Sequence, residues 1–255
     1  MADQLSLPLD ARADLIPELP ALRPMLPRPL AESFDSERHL FEPWWGGLRA
    51  LVYIGPSDTP GGGAVRIVDV DDVDRTADFP ELAGTAVRVA ARSAILDGEL
   101  VVVDVDGRAD QDALAARLGG TRTGPAAFLA FDLLHLDGRS LLHQPLLRRR
   151  AELRRILRPG DEVVAVPAIA TEGRALFEAI VAQGLAGMMA RQRMGPYLPG
   201  IRSRLWRVVP ARPGTIPADD LAAAPAEPAA AGSATAPVLA LLSRLPLQHE
   251  PDLTP

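Results

Sequence analysis

Apolar residues along this chain come in short blocks divided by glycine, proline and aspartate, and the blocks follow two periodicities. Leu48 to Ile54 and Val65 to Val70 are aliphatic and β-branched, with the turn-rich segment Gly55–Gly63 between them, and predict strands. Ala94 to Val105 is a longer run in which Asp97-Gly98 supplies a tight turn or bulge, so it predicts the edge of a strand pair. Ala127 to Leu136 is almost wholly apolar, ends at Asp137-Gly138, and predicts a further strand. Helical spacing governs the other blocks. Ser33 to Leu40 predicts a short helix capped by Ser33, and Asp110 to Leu118 predicts another. Pro145 to Leu157 places Leu146, Leu147, Leu153, Ile156 and Leu157 on one face, with Arg148, Arg149, Arg150, Arg154 and Arg155 largely on the other, expected to be a solvated face. Thr171 to Gln183 predicts a last helix closed by Gly184.

The ends of the chain differ in kind. Pro17, Pro20, Pro24, Pro27 and Pro29 remove backbone donors from the first thirty residues, so an irregular leader over 1–23 is expected before a folded body over 24–210. Residues 211–237 are rich in alanine and proline and too poor in large apolar side chains to pack a core. The stretch 211–255 is therefore expected to be a mostly disordered tail, with Val238 to Leu247 as a short apolar helix. Alternating β-rich and helical stretches in the body imply an α+β layering.

Composition narrows the function classes. At 255 residues, 47% hydrophobic and 24% charged, the chain reads as an ordinary soluble protein of one or two domains. No apolar run approaches the ~18 residues that span a bilayer, and no secretory signal opens the chain, so a cytoplasmic protein is expected. The net charge is −6, and residues 211–255, with two arginines against five carboxylates, hold half of it. Duplex-binding proteins usually present a basic footprint, so weak or absent DNA binding is expected unless arginines gather locally. The carboxylates Asp69, Asp71, Asp72 and Asp74 could ligate a metal only with convergent geometry, and a solvated loop is the plainer expectation.

The candidate chemistry sits in Phe41-Glu42-Pro43-Trp44-Trp45-Gly46-Gly47-Leu48-Arg49. This stretch resembles the nucleophile motif E-x-K-x-D-G-x-R of the ATP-dependent DNA ligases, with Trp44 at the lysine and Gly46 at the aspartate. Further segments follow in the family's order. They are Pro24-Met25-Leu26, Thr76 with Phe79-Pro80-Glu81-Leu82, Leu96-Asp97-Gly98-Glu99, and Phe131-Asp132-Leu133-Leu134 with Asp137-Gly138. Pro145-Leu146 with the arginines after it, Gly184 to Arg191, and Pro196-Tyr197 through Trp206 complete the series.

The resemblance implies the α+β fold of ligase and capping-enzyme adenylation domains, an ATP-grasp-like arrangement of antiparallel sheets flanked by helices. The 45 residues after 210 are too few for the OB-fold that follows in ligases. It also implies ATP and magnesium as cofactors, although none is required by the residues themselves, and no metal site is expected. Nucleotide-binding roles fall to Glu42, Arg49, Glu99 (ribose or metal), Phe131 (stacking on adenine) and Arg191, which stands at a lysine of the motif. Ala186 stands at a glutamate, Val208 and Pro210 at two phosphate-contacting lysines, and Asp69 and Val70 at a serine and an arginine.

All 27 cationic side chains of the Lys and Arg count are arginine, so no lysyl adenylate can form anywhere on the chain. Three readings stay open on the sequence. One is a catalytically silent binding scaffold with an unidentified partner. The second is a noncovalent nucleotide binder using Glu42, Glu99 and Phe131. The third is an active ligase with another nucleophile, His39 or the N-terminal amine.

Overall fold

The computed structural model describes residues 18–212, so the expected tail helix over 238–247 and most of the leader and tail lie outside the described residues. The chain runs β1 (Leu26–Pro29), β2 (Ser36–Trp44), β3 (Leu48–Ile54) and β4 (Val65–Asp69), followed by two 3-10 turns at Thr76–Asp78 and Pro80–Gly84. Then come α1 (Thr85–Arg88), β5 (Ala94–Val102), α2 (Gln111–Leu118), β6 (Ala126–Leu136) and β7 (Arg139–Ser140). The last elements are α3 (Leu146–Ile156), β8 (Val163–Ala165), β9 (Ile169–Thr171), α4 (Gly173–Ala182), β10 (Gly187–Gln192) and β11 (Arg202–Pro210).

Two sheets result. One has the order β1-β11-β10-β2-β9 and the other β4-β3-β5-β6-β7, with β8 added parallel to β6. Strand periodicity builds the layers. In β3, Leu51 and Tyr53 point into an apolar core shared with Trp44, Met189, Trp206 and Val208 of the first sheet. Ala50, Val52 and Ile54 point the other way, into a core closed by Leu114 of α2 and by Leu153 and Ile156 of α3. The outer face of the first sheet packs Phe41, Met188, Ala190 and Val209 against Leu176 and Ile180 of α4. No helix among the described residues is long and apolar enough to cross a membrane.

Three expectations need correction. Residues 36–40 belong to strand β2, because eight residues are too few to nucleate a helix unaided and β10 offers a full antiparallel ladder. Of the turn or bulge expected at Asp97-Gly98 the structure has the bulge, a register shift against β6 at that dipeptide, but β5 is an interior strand buried on both faces rather than the edge of a pair. Thr171 ends β9 with φ 71°, so the last helix starts at Gly173, while Gly184 closes it at φ 70° as expected. Residues 19–22 form neither strand nor helix but pack Leu19 and Leu22 on the inner core, Met25 is buried, and Leu26–Pro29, within the expected body, forms a strand parallel to β11.

The largest departure concerns α3, whose arginine face is not all solvated. Arg149 and Arg150 point inward and are buried. Arg149 donates two hydrogen bonds to the Asp132 carboxylate, at 2.8 and 2.7 Å, and further ones to the carbonyls of Gln144 and Gly195. A buried ion pair is tolerable only when its donors find such partners. This one fastens α3 to β6 and to the segment leading into β11. Replacing Arg149 by methionine is expected to cost about 3–5 kcal/mol, because it strands a buried carboxylate. Arg155→Ala, at an exposed pair with Glu152, should stay within about 0.5 kcal/mol. Urea denaturation of the two variants checks the contrast.

Candidate functional site

β2 lies in one sheet and β3 in the other, so Trp45-Gly46-Gly47 is the strap by which the chain crosses between them. Its geometry dictates its residues. A Cβ at Gly47 would lie 2.2 Å from the Leu100 carbonyl oxygen, a backbone atom that cannot yield. Gly46 has φ 74°, and the Gln111 side-chain amide fills the place where a Cβ would go. Trp44, only 7% exposed, pairs across the ladder with Gly187, where an added Cβ would meet its ring at 2.9 Å. The indole therefore lies over a glycine, in the inner core.

Behind the strap, Glu99 accepts hydrogen bonds from the backbone N–H of Gly47 at 2.5 Å and of Trp45 at 3.4 Å. Its carboxylate thus ties β5 to the crossing. Arg49, opposite Glu99 in the ladder, donates two 2.7 Å bonds to Asp97 and one to the Met25 carbonyl. The Tyr197 hydroxyl also donates to Asp97 at 2.7 Å and accepts from the Met25 N–H. Burial raises the Asp97 carboxyl above its usual range, against the pull of the Arg49 guanidinium. Burial and the Asp97 charge together push Tyr197 well above its ordinary value, so it remains a donor.

On the opposite sheet, Glu42 is shared by two arginines, Arg150 from α3 and Arg191 from β10. Arg150 also donates to the carbonyls of Phe131 and Val166, at 3.0 and 2.6 Å. Arg191 lies flat on Phe131, 3.8 Å from the ring centroid, and 4.7 Å from Trp206. Arg49 stacks on the same two rings at 4.5 and 4.9 Å. Burial pushes the Arg191 guanidinium down to about 9, so it stays cationic at neutral pH. Three buried arginines therefore face three carboxylates, Glu42, Asp97 and Glu99, over a pair of aromatic rings.

The structure brings the expected residues together. Trp44, Arg49, Glu99, Phe131 and Arg191 line one cavity, and Glu42 stands behind Arg191. That cavity measures about 30 Å³. Ligand pockets run to hundreds of Å³, whereas this space suits a water or two. In this arrangement Arg191 covers Phe131 and Glu99 is engaged by the strap. A separate open cavity of about 400 Å³ lies beside the strap, bordered by Trp45, Gln111 and Ala186. No three carboxylates or imidazoles converge on a metal position among the described residues. Asp69 instead accepts from the N–H groups of Asp71 and Val73 and pairs with Arg75.

Sequence reasoning missed Arg150, because helical periodicity cannot say which arginine turns inward. It also overweighted the net charge. Arg23 just before β1, Arg28 in β1, and Arg204 and Arg207 in β11 make no ion pair to any described residue, so an acidic total coexists with a local basic edge.

Comparisons with known proteins bear on the fold as a whole. The sequence profile of the ATP dependent DNA ligase domain matches residues 27–208. The chain is 34% identical over 166 residues to the multifunctional non-homologous end joining DNA repair protein LigD of Mycobacterium tuberculosis, covering 65% of this chain and 21% of that protein. It is 32% identical over 208 residues to DNA ligase C1 of Mycolicibacterium smegmatis, covering 73% of this chain and 56% of the ligase. The fold is also that of mycobacterial DNA ligase D complexed with ATP and MES, with a TM-score of 0.63 at 30% identity, over 74% of this chain and 60% of that one. The chain thus spans from about a fifth to three fifths of these relatives.

The shared carboxylate is the most sensitive point of the site. Glu42→Gln leaves two buried guanidinia without their anion and is expected to destabilise the protein by about 3–5 kcal/mol. Equilibrium unfolding in urea measures it, and a loss below about 1 kcal/mol would mean that the pair is exposed to water in solution.

Proposed function

We propose a function from one premise: the chain belongs to the ATP-dependent DNA ligase family. Within that family we read it as a binding scaffold that has given up lysine adenylation. The observation that carries the reading is Trp44 at the nucleophile position of a chain without lysine. In the family's chemistry an amine attacks the α-phosphorus of ATP and pyrophosphate leaves. The indole nitrogen has its lone pair committed to the ring and offers no such nucleophile. The remaining cavity of about 30 Å³ and the engagement of Phe131 by two guanidinia support the same reading.

Losing the nucleophile alone would leave an open phosphate site. Here the surrounding charges are redeployed as well. Phosphoryl transfer depends on cations aimed at the transferring group. Arg49 and Arg191 instead point at Asp97 and Glu42. Ala186, Val208 and Pro210 stand where the family motifs carry a glutamate and two lysines, so little remains to hold a triphosphate or its magnesium. The relatives named above are DNA repair and ligase proteins, and a role beside such enzymes, through protein or DNA contacts, is the function we assign.

Incubation with α-labelled ATP and magnesium is expected to leave no label on the denatured protein, and ATP is expected not to raise the melting temperature. A noncovalent nucleotide site would raise it by RT ln(1 + [L]/Kd), which separates that reading from the scaffold. Trp44→Lys should destabilise the fold by about 2–4 kcal/mol, because it exchanges a packed ring for a buried charge, and should not restore an adduct. A covalent AMP adduct on Trp44→Lys at an unchanged melting temperature would sink the scaffold reading.

A further inference from the structure

A second feature lies away from the cleft, where the start of β2, the end of β10 and the first turn of α3 meet. Glu37, Arg38, Leu147, Gln192, Arg193 and Met194 line a cavity of about 400 Å³, within the range of small-molecule sites. It combines two kinds of surface. Met194 is 71% exposed, the most exposed large apolar side chain among the described residues, and Leu147 beside it is only partly buried. Among the described residues, the Arg38 guanidinium has no ion pair, and that of Arg193 donates only to the Glu37 carbonyl, at 3.1 Å.

Cations outnumber carboxylates along the lining, Arg38 and Arg193 against Glu37. The cavity sits at the N-terminus of α3, an eleven-residue helix, whose Leu146 and Leu147 N–H groups are held by the carbonyls of Gly195 and Arg193. His39 stands opposite Gln192 in the β2–β10 ladder. Burial lowers its basicity first, and the charges of Arg207 and Arg38 lower it further. Glu37 at the rim is the counterweight, and it penalises a dianion about twice as strongly as a monoanion at equal distance.

We propose that this cavity binds an amphipathic monoanion, a carboxylate held by Arg38 and Arg193 with an apolar tail laid along Leu147 and Met194. Two sources share that chemistry: a free medium-chain carboxylic acid, and the C-terminus of a peptide ending in an apolar residue. Planar guanidinia match a carboxylate in bidentate geometry, and the apolar lining accounts for affinity that the carboxylate alone would lack. The site goes beyond the scaffold reading of the cleft and stands or falls separately from it, since none of its residues borders the strap.

The test uses the full chain labelled at its five methionine methyls, of which Met194 is the reporter. Octanoate, and a peptide ending in leucine with a free carboxylate, are titrated beside acetate, octylamine and the same peptide amidated. A saturable shift of the Met194 methyl with octanoate or the free-acid peptide, and not with the other three, is the expected result. The tighter of the two binders identifies the source. The double variant Arg38→Gln/Arg193→Gln should weaken that binding at least about tenfold, the loss of one or two charge-assisted hydrogen bonds. Both side chains lie outside the core, and the other methionine methyls verify that the fold is kept. Absence of a saturable shift up to about 5 mM of either acid, or equal affinity in the double variant, overturns the proposal.

Discussion

Buried charge must be neutralised where it lies, and in this protein that requirement organises the interior. Glu42 takes Arg150 from α3 and Arg191 from β10, Asp97 takes Arg49, and Asp132 takes Arg149. Each pair joins elements distant in sequence, so the two sheets and α3 are fastened by polar contacts as well as by apolar packing. Such pairs contribute little net stability against an apolar alternative, but losing one partner is expensive. The network therefore fixes which arrangement the core adopts more than it raises total stability.

The strap between β2 and β3 shows how the same requirement shapes the site. Its N–H groups need acceptors once they are enclosed, and Glu99 supplies them. A carboxylate so engaged holds the crossing against β5. Trp44 over Gly187 and Gln111 beside Gly46 fill the rest of the volume with side chains of the protein itself. A ligand would have to displace Arg49 and Arg191 from two aromatic rings and from their carboxylates before it reached Phe131.

Much of this was legible in the sequence, and the failures have physical causes. Strands β3, β4 and β6 follow from apolar runs that no other structure could bury, and the motif order located Glu42, Arg49, Glu99, Phe131 and Arg191 near one another before any coordinates. The short segment 33–40 was misread because local propensity is weak over eight residues, and only the partner strand β10 decides it. Asp97-Gly98 carried a signal for a turn or a bulge, and inside the doubly buried β5 it is expressed as the bulge. Arg149 and Arg150 were misplaced because adjacent arginines look alike until their carboxylates, 17 and 108 positions away in sequence, are known. Long-range electrostatic pairing leaves no periodic trace.

The exclusive use of arginine ties these strands of argument together. A lysine ammonium is a compact, strongly hydrated charge that is costly to bury and poor at lying against a ring. A guanidinium is planar, grips a carboxylate with two bonds and stacks on an aromatic face, as Arg49 and Arg191 do on Phe131 and Trp206. With arginine as its cation, a charged cleft can close into a packed, neutralised interior and keep its fold. Trp44 at the nucleophile position and Arg191 at a lysine position are separate changes, and both side chains lie packed in the same interior. The frame of the family motifs survives because glycines such as Gly47 answer to backbone geometry, which the change of cation leaves untouched.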